Sequence, residues 1–287
     1  KTRILDYICT PILLEQNAAK VLDLFAGSGS IGYALRNHKT IISNDLELYA
    51  YTINDAILNG CLLYDNEFIN IVNSIFENYG KLRNILSEDI KAESRLMRQG
   101  DIDDYTDYCN NTPSVFTPLL HHDNIKSLGQ LIMNVRPGTG LIGNNSLPCL
   151  FLTYYSNTYF GLRQCAEIDA ICTTIHAQPD MRIKNVLLCA LMSVLSKTAS
   201  TTTHFAQFLK INGKSSLENI LSKRSSSILL MFIEEIRYYK NIGLLDMLPV
   251  KNHQCFNEDG LLLLRELNLE NTLVYADPPY FKEHYSR

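Results

Sequence analysis

The sequence predicts an α/β fold: a Rossmann-like sheet interrupted by a large, mostly helical insert. Three observations predict it. An apolar run near the start ends in a Gly-x-Gly-x-x-Gly loop at Gly27, Gly29 and Gly32. A second apolar run, Leu273 to Ala276, ends in Asp277-Pro278-Pro279-Tyr280. Between about 60 and 250 this strand-and-loop pattern stops, and apolar residues recur at helical spacing instead. A chain of 287 residues with 46% apolar content suffices for one elaborated domain or two smaller ones around a sizeable core.

Residues 11–20 and 30–37 read as helices flanking a first strand, Val21 to Phe25. The glycines let the chain turn tightly, approach a ligand closely and pack the next helix on the sheet. Such spacing commonly seats a pyrophosphate on a helix N-terminus. Phe25-Ala26-Gly27-Ser28-Gly29 argues instead for S-adenosylmethionine, whose methionine end carries a carboxylate and an ammonium, with Asp23 available for the ammonium. A second strand, Thr40 to Asn44, ends at Asp45, about 20 residues past the glycines, where an acid can grip ribose hydroxyls. Leu46 to Asn59 reads as the following helix. Glu67 to Leu86 reads as another, with Phe68, Ile71, Val72, Ile75 and Phe76 at helical spacing. Arg95 to Asp107 is charged and turn-rich and reads as a loop or linker, and Pro137 to Gly140 and Gly143 to Asn145 as turns. Leu162 to His176, Asn185 to Ser196, Phe205 to Ile211, Ser216 to Leu221 and Ser226 to Lys240 read as helices.

The run Leu273 to Ala276 reads as a buried strand. It cannot continue into a helix, because each proline ring fixes φ and removes a backbone donor. The chain therefore leaves the sheet in a stiff, extended turn. That turn gathers the Asp277 carboxylate, unpaired carbonyls at Pro278 and Pro279, and the Tyr280 ring at the carboxyl edge, where open α/β sheets place their ligands. Acceptors beside an aromatic face suit a planar group bearing an NH2, such as a nucleobase. The alternative is an ordinary surface turn, since Asp-Pro is common in turns.

In this order, these motifs resemble the Dam-like, alpha-group adenine-specific DNA methyltransferases. There too the Phe-x-Gly-x-Gly motif comes first, a target-recognition insert follows, and Asp-Pro-Pro-Tyr comes late. Here Gly27 and Asp277 stand 250 positions apart. Lys1-Thr2-Arg3-Ile4-Leu5 resembles the end of the family's N-terminal cofactor motif, which implies a cofactor contact at Lys1. Phe256-Asn257-Glu258-Asp259 resembles the motif after the third strand, whose acid meets the cofactor's adenine, which implies Asp259. Tyr154 to Phe160 and Thr203 to Lys210 resemble parts of the insert in some members. With their aromatic, hydroxyl and amide groups they make Tyr155, Asn157, Tyr159, His204 and Lys210 the DNA-contact candidates, although packing is the commoner role for such aromatics. The resemblance is thin over about 60–150.

The resemblance implies a divided chain. Residues 1–60 and 250–287 would form the S-adenosylmethionine-binding catalytic domain, and 61–249 an inserted helical target-recognition lobe. It implies methyl transfer to the exocyclic amino nitrogen of adenine, in a restriction-modification or related system. Asp277, Pro278, Pro279 and Tyr280 would be catalytic, with Asp277 and the Pro278 carbonyl accepting from the amino group and Tyr280 stacking on a flipped base. A cytosine ring-carbon enzyme would need a cysteine where Tyr280 stands. The implied partners are double-stranded DNA with a target adenine, and a restriction endonuclease or a second methyltransferase chain. The family's sheet has further strands after the catalytic turn, so the expectation is a fragment, a trimmed chain or one part of a split enzyme. A DNA- and cofactor-binding part inactive by itself, and an RNA methyltransferase, stay open as alternatives.

Composition sets weaker bounds. The net charge of −4 does not advertise nucleic acid, although a positive cleft can coexist with an acidic total. Acids concentrate in Glu88 to Asp107, and bases around Lys210, Lys214, Lys223, Arg224 and Arg237 to Lys240. The eight cysteines form no Cys-x-x-Cys pair and read as reduced packing thiols. His121-His122-Asp123 lacks a third metal ligand and reads as a solvated loop. No apolar run reaches the ~18 residues of a membrane span. A soluble, cytoplasmic protein without a metal is the expectation.

Overall fold

Four short runs, three of them carrying Val, Ile or Leu, pair side by side. The computed structural model describes residues 4–112, 128, 141–142, 147–201, 207–246 and 251–278. Its strands are β1 (Lys20–Asp23), β2 (Thr40–Asn44), β3 (Leu141–Ile142), β4 (Leu147–Pro148), β5 (Gln254–Phe256) and β6 (Thr272–Tyr275), of which β3 and β4 form a small antiparallel pair. The other four make one parallel sheet in the order β5-β2-β1-β6. Strand order therefore reverses at β1, with β2 and β5 on one side and β6 on the other. Such a switch point is where open α/β sheets leave a crevice at the strand ends.

Strands β1 and β2 are buried along almost their whole length, as parallel strands covered on both faces must be. Side chains alternate between two clusters. Val21 and Ile41 join Cys9, Ile12, Ile31, Leu35 and Leu58 on one face. Leu22, Leu24 and Ile42 meet Leu263 on the other. Burying each such Leu, Ile or Val contributes about 1.5–3 kcal/mol. Helices α1 (Leu5–Leu14), α2 (Ser30–Leu35) and α3 (Leu48–Asn59) supply the first cluster.

Two expectations about the sheet need correction. The first helix covers Leu5–Leu14 rather than 11–20. Leu5, Ile8, Cys9 and Ile12 form its packed stripe, which outweighs the one hydrogen bond that Pro11 removes. Lys39 Nζ then holds the following turn through Glu15 O at 2.7 Å and Ala18 O at 2.6 Å. Strand β6 is only partly buried, with Val274 40% exposed, because it stands at the end of the described sheet.

The chain divides into two compact units. One comprises 1–64, 178–190 and 236–287 and contains the sheet; the other comprises 65–177 and 191–235. The described residues of the second are helical, apart from the small β3–β4 pair, isolated bridges and connecting turns, and it falls within the segment 61–249. Residues 178–190, inside that segment by sequence, pack with the first unit. In the second unit α4 (Asp65–Ile85) lies along the helix Leu162–His176, and Asn78 Nδ2 donates to Thr174 Oγ1 at 3.1 Å.

The segment expected as a loop, Arg95 to Asp107, is instead parts of two helices, α5 (Ser87–Gln99) and α6 (Ile102–Asn111). Gly100 closes α5 in the left-handed conformation, φ 65°, and the Asp101 carboxylate caps α6 by accepting from Asp104 N at 2.9 Å. Its charges are helix faces and a cap, not linker composition. Phe205 to Ile211 is not a helix in its described part: Phe208 bridges antiparallel to Thr201, and Leu209 N donates to Ser200 O at 2.8 Å. The expected turns at 137–140 and 143–145, and His121-His122-Asp123, lie outside the described residues.

Candidate cofactor and substrate site

Strands β1 and β6 run in register, Asp23 opposite Tyr275, and Leu24 N donates to Tyr275 O at 3.0 Å. The two chain segments therefore leave the sheet together. One is the glycine loop, Phe25 to Gly29; the other is Ala276-Asp277-Pro278. The spacing legible in sequence, 250 residues apart, closes to neighbouring strand ends.

The loop is fixed from the β2 side. Ala26 N donates to Asn44 O at 2.9 Å, and Gly27 N to Asp45 Oδ2 at 2.8 Å. Gly27 and Gly29 both take positive φ, 55° and 73°, which favours glycine at each. A Cβ on Gly29 would also stand 2.5 Å from Ile57 Cδ1 and 2.6 Å from Asn54 Oδ1. A Cβ on Gly27 would meet nothing within 4 Å, so the loop leaves room on that side. Gly32 does the packing job: its missing Cβ lies 3.3 Å from Ile41 Cγ2.

Three residues that the sequence reading did not single out hold these ends together. Asn44 is 1% exposed, and its Nδ2 donates to Leu24 O at 3.2 Å and Glu258 O at 3.1 Å. Its Oδ1 accepts from Glu258 N at 3.2 Å. Asn54 Nδ2 donates to Gly27 O at 3.0 Å and Ala50 O at 2.8 Å. Asn257 Nδ2 donates to Asp45 O at 2.9 Å and Leu46 O at 2.8 Å. The available signal was an amide at the end of an apolar strand (Asn44) and another inside an apolar helix (Asn54); buried polar groups are there to bond something.

Apart from Lys1, each expected cofactor residue has a definite place. Asp23, at the end of β1, is 2% exposed. Phe25 packs against the Leu22–Leu24–Ile42–Leu263 cluster, Ala26 is buried, and Ser28 is exposed with its Oγ 3.1 Å from Ser30 Oγ. Asp45 accepts from Gly27 N through Oδ2 and from Glu47 N at 3.0 Å through Oδ1. A carboxylate offers about four lone-pair sites, so Asp45 retains acceptor capacity for hydroxyls. Asp259 caps the helix Gly260–Glu266, its Oδ1 accepting from Leu261 N at 2.9 Å and Leu262 N at 3.2 Å. Asp277 is half-buried and Pro278 exposed; Lys1, Pro279 and Tyr280 lie outside the described residues.

The DNA-contact candidates separate. Tyr155 is exposed and packs edge-on against Tyr159 at 6.0 Å between ring centroids, while Tyr159 meets Phe208 at 5.8 Å. Lys210 is exposed and His204 lies outside the described residues. Asn157 is 4% exposed and faces inward: its Nδ2 donates to Thr112 Oγ1 at 2.7 Å, and its Oδ1 accepts from Arg224 Nη1 at 3.3 Å. Arg224, one of the bases clustered between Lys210 and Lys240 in the sequence, is buried too and also donates to Tyr105 Oη at 3.0 Å and Thr158 O at 3.0 Å. The two burials share a cause: polar side chains here complete an interior network that burial makes obligatory.

Residues 1–98 match the family model of D12 class N6 adenine-specific DNA methyltransferases, consistent with the Dam-like resemblance of the motifs. No curated protein and no solved structure matches the chain. The matched stretch carries β1, the glycine loop, β2 and Asp45; Asp277 lies outside it.

Proposed function

With the match of residues 1–98 to an adenine-methylating DNA enzyme as premise, we propose that this chain methylates the exocyclic amino nitrogen of adenine in DNA, with S-adenosylmethionine as donor. The observation that carries the proposal is the register of β1 with β6, which brings the glycine loop and Asp277 to one edge at the switch point of the sheet. The cofactor fits the residues present. Its ribose hydroxyls find acceptor capacity on Asp45, the open side of Gly27 admits a ligand against the backbone, and buried Asp23 lies at the adjoining strand end for the ammonium. S-adenosylmethionine supplies an electrophilic methyl group on a sulfonium.

The protein's own part is alignment. An adenine inside a duplex is out of reach, so the base must flip out, at a cost of a few kcal/mol. Tyr280 offsets part of that cost by stacking on the extruded ring. Asp277 Oδ and the Pro278 carbonyl accept hydrogen bonds from the amino group, which draws its lone pair out of ring conjugation. The rate then comes from orientation and fixed dipoles, without a covalent intermediate. The helical unit is the target-recognition lobe in this reading.

Product analysis tests the proposal. The protein is incubated with labelled S-adenosylmethionine and equal amounts of duplex DNA, RNA and polypeptide, and the products are digested to monomers. Label in N6-methyldeoxyadenosine is expected; label in 5-methylcytosine, in RNA or in protein would contradict it. Methylome sequencing of a plasmid should show one recurrent motif, as a site-specific enzyme of a restriction-modification system requires.

A further inference from the structure

The segment richest in acids by sequence carries a basic face. On α5, Asp89 and Glu93 stand four residues apart, one turn of helix, and both are 2% exposed. Asp89 Oδ2 accepts from Leu128 N at 3.0 Å. Glu93 accepts from Leu162 N at 2.6 Å through Oε1 and from Arg163 N at 3.1 Å through Oε2. These negative charges are turned inward onto backbone donors. Lys91, Arg95 and Arg98, at i, i+4 and i+7, are exposed on the same helix.

Together with Arg83 and Tyr79 of α4, and with Arg163, they line a cavity of about 640 Å³. No acid is among its lining residues. Arg163 belongs to its wall, because its guanidinium is held by Glu167 Oε1 at 2.6 Å and by the Arg224, Ser225 and Ser226 carbonyls. The other cations face outward. Arg83 and Arg95 make no salt bridge with a described carboxylate, and the Lys91–Glu88 pair, at 2.8 Å, is open to solvent and worth little. Three cations over seven residues form a row about 10 Å long. A row suits a polyanion rather than a single small phosphate, because duplex DNA presents a negative charge for about every 1.7 Å of axis.

We propose that the cavity lined by Arg83, Lys91, Arg95 and Arg98 is a phosphate-backbone contact for duplex DNA. The proposal rests on the reading that the protein acts on DNA. It assigns the lobe's electrostatic grip to α4 and α5, not to the aromatic segment around Tyr155. Contacts of this kind position the duplex and carry no sequence information themselves.

The test is fluorescence anisotropy of the full chain with a labelled 30-base-pair duplex between 50 and 200 mM salt. The Arg83→Gln, Arg95→Gln, Arg98→Gln triple variant should flatten the slope of log affinity against log salt by about 3, one per lost contact. It should bind unrelated duplex sequences equally more weakly, on the order of tens of fold at low salt. The matching triple Lys variant should recover most of the affinity, and all three proteins should keep the same helical circular dichroism and urea midpoint, which excludes misfolding. An unchanged affinity and slope in the Gln variant would overturn the proposal, as would failure of the wild-type protein to bind duplex. So would displacement of the duplex by inorganic phosphate beyond the effect of equal ionic strength. Salt-steep, arginine-dependent binding without methyl transfer to adenine would keep the groove and remove the proposed function instead.

Discussion

His253 shows how much a single buried group contributes to the sheet. It stands just before β5, and its Nδ1 accepts from Ile41 N at 3.0 Å, so the ring must be neutral at that nitrogen. Burial holds its pKa below the usual 6.5, and the Arg36 and Lys251 charges add to the effect. A depressed folded pKa means stability that is present above 6.5 and lost as the pH falls through the folded value. Resistance to denaturant should therefore fall between pH 7.5 and 5.5, with less loss in His253→Gln, whose amide oxygen can still accept from Ile41. Parallel pH curves for the two proteins would contradict this. The same scale explains what sequence reading reached at the site. Gly27, Gly29 and Asp45 were legible because their spacing is local. Asn44 was not, because its partner Glu258 is 214 positions away, so an amide at a strand end marks a bonding group without saying what it bonds.

At the scale of elements, periodicity served well where packing alone sets the boundaries. The helix Leu162–His176 and the strand Thr40–Asn44 have the limits that their patterns predict. It failed at α5, where mean composition hid a helix with two charged faces, acids inward and bases outward. The inward face fixes a neighbouring helix: Glu93 receives the first two N–H groups of Leu162–His176, groups that no intrahelical carbonyl can satisfy. Glu93→Ala should lower the unfolding free energy in urea by about 2–6 kcal/mol, two donors at roughly 1–3 kcal/mol each. Glu93→Gln should cost less, since one acceptor oxygen remains. A loss below about 0.5 kcal/mol for the alanine variant would show that the cap is dispensable, as surface changes usually are.

For the whole molecule, the net charge of −4 hides an uneven distribution, because several acids are caps or interior acceptors while a row of cations faces outward. The α/β class and, among the described residues, the helices of the middle segment were legible. The sharing of residues 178–190 with the sheet unit was not, since contact and not sequence order decides it. What joins the two ends of the chain is the pairing of β1 with β6, and with it the claim that the loop binds the cofactor while Asp277 meets the base. The most direct measurement compares wild type with Asp277→Ala for both S-adenosylmethionine affinity, by calorimetry, and methyl transfer to adenine in duplex DNA, by mass spectrometry of the nucleosides. Transfer should fall below detection while cofactor affinity stays within a few fold of wild type. Equal loss of both, or transfer that survives the substitution, would contradict that claim.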